Sequence, residues 1–353
     1  NMRKFVFITG SGRCGTKLIQ GLLDGNPNLN IIPGEVTNLF AESISNNGFS
    51  SNVYYMNSKK TLANIINAFK LAKSINQKSK FKKITRLLKN RFIKKDCISL
   101  NEYMDIVVNV LFPNKKQTLI NIENENIIGL LQTFPNSKVI HMLRNPLTQI
   151  NGRYLFRYKS PNNYDGMEFS SSFYRNYNSF KNAYLLKNDK RVLIIKMENL
   201  IKNIEIEVKK TCKFLSINFN KINLDVTVFG KNIYNKFSNY NLKSAILGYL
   251  PGDQKLINNK GIKKISHDFS CLTPNDLYVV SKIKYVKEFY KLKKFNKKKN
   301  NFFIFFWRHL GFMGKGRSKN LNPYKLIKYS IFSIYLYFLD KRFKYRFLKS
   351  ENI

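Results

Sequence analysis

Residues 4–27 read Lys4-Phe-Val-Phe-Ile-Thr-Gly-Ser-Gly-Arg-Cys-Gly-Thr-Lys-Leu-Ile-Gln-Gly-Leu-Leu-Asp-Gly-Asn-Pro27. Phe5, Val6, Phe7 and Ile8 form a short apolar run suited to a strand buried on both faces of a sheet. Gly10, Gly12 and Gly15 follow as a flexible turn, and Leu18, Ile19, Leu22 and Leu23 then recur at helical spacing. The stretch predicts a strand, a glycine-rich turn and an amphipathic helix. Glycines let backbone amides face an anion without side-chain obstruction. A helix start adds unpaired N–H groups and the positive end of its dipole. Together these make a phosphate cradle.

The order of residues in the turn separates the chemistries such a cradle can serve. Gly10 to Gly15 has the G-x-x-x-x-G spacing of a nucleotide-triphosphatase loop, but Thr16-Lys17 reverses the Lys then Ser/Thr that such a loop needs for phosphate and magnesium. A phosphatase loop requires an arginine six positions after its cysteine, and Gln20 stands there after Cys14.

The turn Arg13-Cys14-Gly15-Thr16-Lys17 and the helix end Leu22-Leu23-Asp24-Gly25-Asn26-Pro27 resemble the first signature of the sulfotransferase family, R-S-G-T-T followed by L-L-x-x-H-P. That family uses 3′-phosphoadenosine 5′-phosphosulfate as donor. Cys14 replaces serine, Lys17 the second threonine and Asn26 the histidine. Phe134 to Pro146, with Val139 to Leu143 as a strand and Arg144 at its carboxyl end, is similar to the second signature, although Gly152 stands where the family has a serine. Arg191 to Leu200, then Thr211 to Ser216, resemble the family's strand with an R-Y-E-D-L end and its helix closing on F-L-G. The likeness runs over residues 4 to 290.

It implies a three-layer α/β/α fold with a central mostly parallel sheet and a P-loop-like phosphate cradle. It places Gly12, Arg13, Cys14, Gly15, Thr16 and Lys17 at the 5′-phosphosulfate end of the donor. Arg144 falls at the 3′-phosphate, with Asn151 or the Gly152 amide in place of the missing hydroxyl. Glu198, at a strand-to-helix turn, reads as a structural cap.

Sulfuryl transfer needs a positive cradle for the leaving nucleotide, a base for the acceptor and exclusion of water. Arg13 and Lys17 are the cations expected at the transferred group, and Glu35 is the expected base. Glu35 follows the first helix and a short second strand, which should return it to the sheet edge that carries the cradle. Its surroundings, Gly34-Glu35-Val36-Thr37, look like the G-E-E-T segment of protein-tyrosine sulfotransferases. The competing reading makes Glu35 a cap for a helix at residues 38–43. Of the three histidines, His141 reads as a packed strand residue, His267 is the alternative base, and His309 lies in an aromatic tail. No histidine cluster suggests a metal, and the donor chemistry implied calls for none.

The chain's 353 residues suffice for one large α/β core, and 43% apolar residues exclude a disordered chain. Its four cysteines are scattered without a C-x-x-C pair, which favours reduced thiols over a disulfide framework or zinc site. Sixty-two Lys and Arg against 21 Asp and Glu give a net charge of +41. Such a field attracts anionic donors, acidic glycans and anionic membrane surfaces alike, and no nucleic-acid motif accompanies it.

Residues 1–290 are expected to form the catalytic domain, with a lysine-rich helical insertion at 41–120 that hints at an acidic acceptor. Residues 291–353 form a basic aromatic tail suited to a membrane interface, and its apolar run falls short of the roughly 20 residues of a spanning helix. The expected acceptor is a hydroxyl or amine on an acidic glycan or glycolipid, and the expected location is the cytoplasm, peripheral at a membrane. A small-molecule kinase using ATP and magnesium, and a non-catalytic polyanion- or membrane-binding protein on the same fold, are the alternatives.

Overall fold

A computed structural model describes residues 4–35, 44–45, 48–49, 52–54, 77–92, 97–114, 116–122, 125–159, 168–224, 226–228, 231–232, 257–258, 261–262, 272, 274–293, 295–296, 338, 346 and 349. Two compact units emerge, residues Asn1–Leu143 with Leu185–Ile265, and Arg144–Tyr184 with Ser266–Ile353. The boundary expected at residue 290 falls inside the second of them.

The first unit is built on five strands: β1 (Phe5–Thr9), β2 (Leu29–Glu35), β3 (Gln117–Asn121), β4 (Lys138–Leu143) and β5 (Val192–Lys196). They pair in the order β2-β3-β1-β4-β5, and every pair is parallel. The strand order reverses beside β1, and in such sheets ligands bind outside the carboxyl ends at that point. The turn after β1 therefore opens where a ligand is expected.

Strand alternation decides which side chain meets which helix layer. Phe5 and Phe7 join the cluster of α2 (Gln77–Phe92), α3 (Leu100–Leu111) and α4 (Ile127–Thr133), with Ile84, Leu88, Tyr103, Val107 and Leu130. Phe134 meets Phe5 edge-on and Phe7 at a tilt, at 5.5 Å and 4.9 Å between ring centroids. Val6 and Ile8 instead join Leu18, Ile19, Leu22 and Leu23 of α1 (Thr16–Leu23) and Val208, Cys212 and Leu215 from beyond β5. Both faces of the sheet are covered, which gives the three layers.

The insertion expected over 41–120 ends sooner than that. Gln117–Asn121 is β3, a central strand between β1 and β2, and α3 packs in the core. Gln77–Phe92 is a helix, and residues 52–54 pair with 97–99 as a short antiparallel ladder.

In the second unit, α5 (Pro146–Lys159) starts at Pro146, directly after Asn145. Proline suits the first helical position, and the Asn145 side chain accepts the Leu147 amide at 3.0 Å. Helix α6 (Glu168–Leu186) carries Tyr177 and Phe180, which meet Tyr285 at 5.6 Å and Phe289 at 6.0 Å.

Candidate active site

The turn after β1 takes its shape from two glycines and an arginine. Gly10 has φ 150, and a Cβ there would run into Cys14 Sγ and lie 2.7 Å from the Met142 carbonyl. Gly15, with φ 97, is the N-cap of α1, and a Cβ there would collide with Met197 Sδ. Neither position has room for a side chain. Between them Arg13 holds φ 71, a left-handed backbone that costs a residue with a side chain about 1–2 kcal/mol, and its side chain is exposed. Cys14 is buried in the apolar cluster of Val6, Ile8 and Leu18.

Helix α1 begins with Leu18 N and Ile19 N both donating to Gly15 O, at 3.0 Å and 3.2 Å. The amides of Thr16 and Lys17 lie before the first intrahelical acceptor can reach them. No acidic residue stands in the first turn, so the positive end of the helix is not offset from within it.

Strand β2 brings Glu35 to this place. Its first residues pair regularly with β3, Ile31 opposite Leu119, and unbroken pairing would set Pro33 opposite Asn121. Glu35 stands there instead, because the strand bulges between Ile31 and Glu35 through Gly34 at φ 76. The Glu35 carboxylate then lies 3.6 Å from Lys17 Nζ, with the two side chains 23% and 25% exposed. At that exposure the pair adds about 0–1 kcal/mol to stability, so its interest is chemical.

The side chain of Gln20 closes the bulge from α1. Its Nε2 donates to Ile32 O at 2.8 Å and Gly34 O at 3.2 Å, and its Oε1 accepts from Asn121 Nδ2 at 2.9 Å. The far end of α1 is fastened by Asn26, which donates to Asn218 O at 2.9 Å and Asn223 Oδ1 at 3.0 Å. Asn26 is thus a structural residue in the place of the expected histidine.

Arg144 directly follows β4 in sequence. On α5, Asn151 is buried and Gly152 half-buried, and a Cβ at Gly152 would meet nothing within 4 Å. One turn before Gly152, the buried Thr148 hydroxyl has no hydrogen-bond partner among the described residues.

His141 is fully buried in β4, its Nδ1 2.8 Å from Thr9 Oγ1, as a packed strand residue would be. Glu198 lies in the first turn of α7 (Met197–Lys202), at the strand-to-helix turn where a cap was expected. His267, His309, the helix expected at 38–43 and nearly all of the tail after 296 lie outside the described residues. Among the described residues, no group of three or more His, Cys, Asp or Glu could hold a metal ion. No helix among them is long and apolar enough to cross a membrane.

Residues 6–221 match the model of the sulfotransferase family, a match that runs from β1 past Glu35, Arg144 and Glu198 to the residues beyond Ser216. The chain belongs to the sulfotransferase family. It is therefore an enzyme of sulfuryl transfer. Among solved structures, the sulfotransferase domain from the curacin biosynthetic pathway is 17% identical, covering 65% of this chain and 79% of its own, with a TM-score of 0.46. The sulfotransferase domain of the Synechococcus PCC 7002 olefin synthase is 15% identical, covering 83% of this chain and 97% of its own, with a TM-score of 0.49. A mouse sulfotransferase complexed with PAP is 12% identical, covering 63% and 62%, with a TM-score of 0.36. No curated protein matches the chain.

Within this sulfotransferase the expected cation and base, Lys17 and Glu35, stand side by side, and Arg13 is exposed on the same turn. Gln20 and Asn121 escaped the sequence reading. The one available signal was a glutamine on the face of α1 that also carries Ile19 and Leu23, where an apolar residue would be usual.

Proposed function

We propose that this sulfotransferase moves a sulfuryl group from 3′-phosphoadenosine 5′-phosphosulfate to a hydroxyl or amine acceptor, with Glu35 as the general base. The observation that carries the reading is the 3.6 Å approach of Glu35 to Lys17 beside the start of α1. The residues there suit an anionic phosphosulfate: amides at a helix start with no acid in its first turn, a lysine, a threonine and an exposed arginine. Membership of the sulfotransferase family supports the same donor.

The donor supplies an activated sulfuryl group. Glu35 takes the proton from the acceptor as the acceptor atom bonds to sulfur and the bond from sulfur to the nucleotide phosphate breaks. Lys17 and Arg13 offset the negative charge that builds on the transferred group and the departing phosphate. Gly12, Gly15, Thr16 and the Cys14 backbone supply the rest of the cradle. Arg144, with Asn151 and the Gly152 amide, takes the 3′-phosphate, where a guanidinium gives two parallel bonds.

The acceptor proposed is an acidic glycan or glycolipid. Support comes from the +41 charge and from α2, whose Lys82, Lys83, Arg86 and Lys89 are exposed. Peripheral attachment to an anionic membrane surface, with a cytoplasmic location, belongs to the same proposal.

The test begins with thermal stabilisation by adenosine 3′,5′-bisphosphate, compared with AMP and with ATP plus magnesium, in enough salt to suppress nonspecific anion binding. At a hundred times its dissociation constant the bisphosphate should add about 2.7 kcal/mol. Labelled sulfate donor should then give a product whose rate falls by about a hundredfold or more in Glu35→Ala and Arg13→Ala. Selective stabilisation by ATP with magnesium would overturn the reading in favour of a kinase. Equal stabilisation by all three ligands, with no labelled product, would overturn it in favour of a polyanion binder.

A further inference from the structure

The bulge that carries Glu35 removes Ile32, Pro33 and Gly34 from regular pairing with β3. Carbonyls taken out of a ladder and buried must find other donors. Ile32 and Gly34 are buried, and both of their carbonyls are taken by one side chain, the Nε2 of Gln20. Gln20 is itself fully buried, a costly place for an amide unless its hydrogen-bonding capacity is used.

That capacity is used in one orientation only. A carbonyl can only accept, so the two backbone oxygens require the NH2 end of Gln20 to face β2. Its Oε1 must then face Asn121, which must present its own NH2 group, as it does at 2.9 Å. Asn121 Oδ1, also buried, is left with no hydrogen-bond partner among the described residues. The bracket therefore spends a buried acceptor to keep Gln20 aimed at the bulge.

Gln20 and Lys17 are three residues apart on α1, hence on one face of the helix. Gly34, which Gln20 holds, is the residue before Glu35, which Lys17 meets. We propose that Gln20, oriented by Asn121, is the positioning residue that fixes the Glu35 carboxylate against Lys17. This rests on Glu35 being the base proposed above. Gln20 touches neither donor nor acceptor in this role and acts through the backbone of the bulge.

The test compares wild type, Gln20→Met, Glu35→Gln and the double variant. Methionine keeps the volume of the side chain and removes its hydrogen bonds. Because misplacing a reacting group by about 1 Å can cost a hundredfold, Gln20→Met should lower kcat by about 10- to 100-fold. Residues 10–17 are untouched, so the donor KM and stabilisation by the bisphosphate should stay within about threefold of wild type. In the Glu35→Gln background the same change should lose less than about threefold more, since the group being positioned is already gone. A general structural role predicts losses that multiply, and multiplication would overturn the proposal, as would an unchanged kcat in Gln20→Met.

Asn121→Ala provides a second variant should Gln20→Met fail to fold. It removes one bond from the bracket and should give a smaller kcat loss with the same dependence on Glu35. A crystal structure of either variant reads the geometry without reference to activity. Glu35 more than 4 Å from Lys17 Nζ supports the bracket, and an unchanged pair in a folded variant overturns it. Absence of bisphosphate binding and of product in wild type would sink the functional reading alone, and the crystallographic comparison would still decide the role of Gln20.

Discussion

Two glycines illustrate how a residue of one type can be required in one place and replaceable in another. Gly15 combines φ 97 with the Met197 sulfur behind its Cα, so both backbone and packing exclude a side chain. Gly152 sits inside α5, with no contact within 4 Å of where a Cβ would stand. Nothing in its surroundings resists the serine that the family carries there. If Arg144 takes the 3′-phosphate, Gly152→Ser should add a hydrogen bond to a charged group, about 1.5–3 kcal/mol, and tighten bisphosphate binding about tenfold or more. Calorimetric titration of the two proteins checks this, and unchanged affinity would remove residue 152 from the donor site. The residue scale is also where the sequence spoke most clearly. That Lys17 and Glu35 come together could be foreseen because β2 follows the first helix and returns to the sheet edge that carries the cradle. Gln20 could not be foreseen, because its partners are two backbone carbonyls of a bulge, and no pattern of side chains announces a bulge.

At the scale of elements, the end of the helix Ile204–Leu215 offers a clean case of local chemistry. Ser216 adopts φ 58, its amide bonds to Lys213 O at 3.1 Å, and Ile217 N bonds to Cys212 O at 3.0 Å. This is the left-handed closure for which glycine is the usual choice, and it explains the glycine in the F-L-G of the resembled motif. A left-handed serine costs about 1–2 kcal/mol, of which the looser unfolded glycine chain returns about 0.4–1. Ser216→Gly should therefore stabilise the protein by about 0.5–1 kcal/mol, raising the melting temperature by about 1 °C. A lower melting temperature would mean that the 3.5 Å contact of Lys138 Nζ with Ser216 Oγ outweighs the backbone strain. The strands around β1, β4 and β5 could be read from their apolar runs, whereas β3 was missed. Its core contribution comes from Leu119 and Ile120, between polar Gln117 and Asn121 and after Lys115-Lys116, which made it look like part of a basic insertion. Sequence order also hides its place, because β3 enters the sheet between β2 and β1, strands formed some eighty residues and more earlier.

For the molecule as a whole the dominant quantity is the charge of +41, and the question is how much of it serves the reaction. A uniform excess of lysine raises attraction to every anion and selects none, whereas a face of fixed helical lysines can favour one substrate class. Helix α2 has such a face. Ile84 and Leu88 are buried against the core, which fixes its rotation, and Lys82, Lys83, Arg86 and Lys89 are exposed. Reversing these four to glutamate leaves the buried stripe and the cradle unchanged. If the acceptor is an acidic glycan guided by α2, kcat/KM for that acceptor should fall by about tenfold or more. For a neutral hydroxyl acceptor it should change by less than about twofold. Raising ionic strength should erase most of the difference between wild type and variant, since interactions of exposed charges fade over a Debye length of about 8 Å at physiological salt. Stabilisation by adenosine 3′,5′-bisphosphate serves as the control and should be nearly unchanged. Equal losses for acidic and neutral acceptors would assign α2 to stability, and no loss for either would leave its lysines as a solvated surface with no part in acceptor choice.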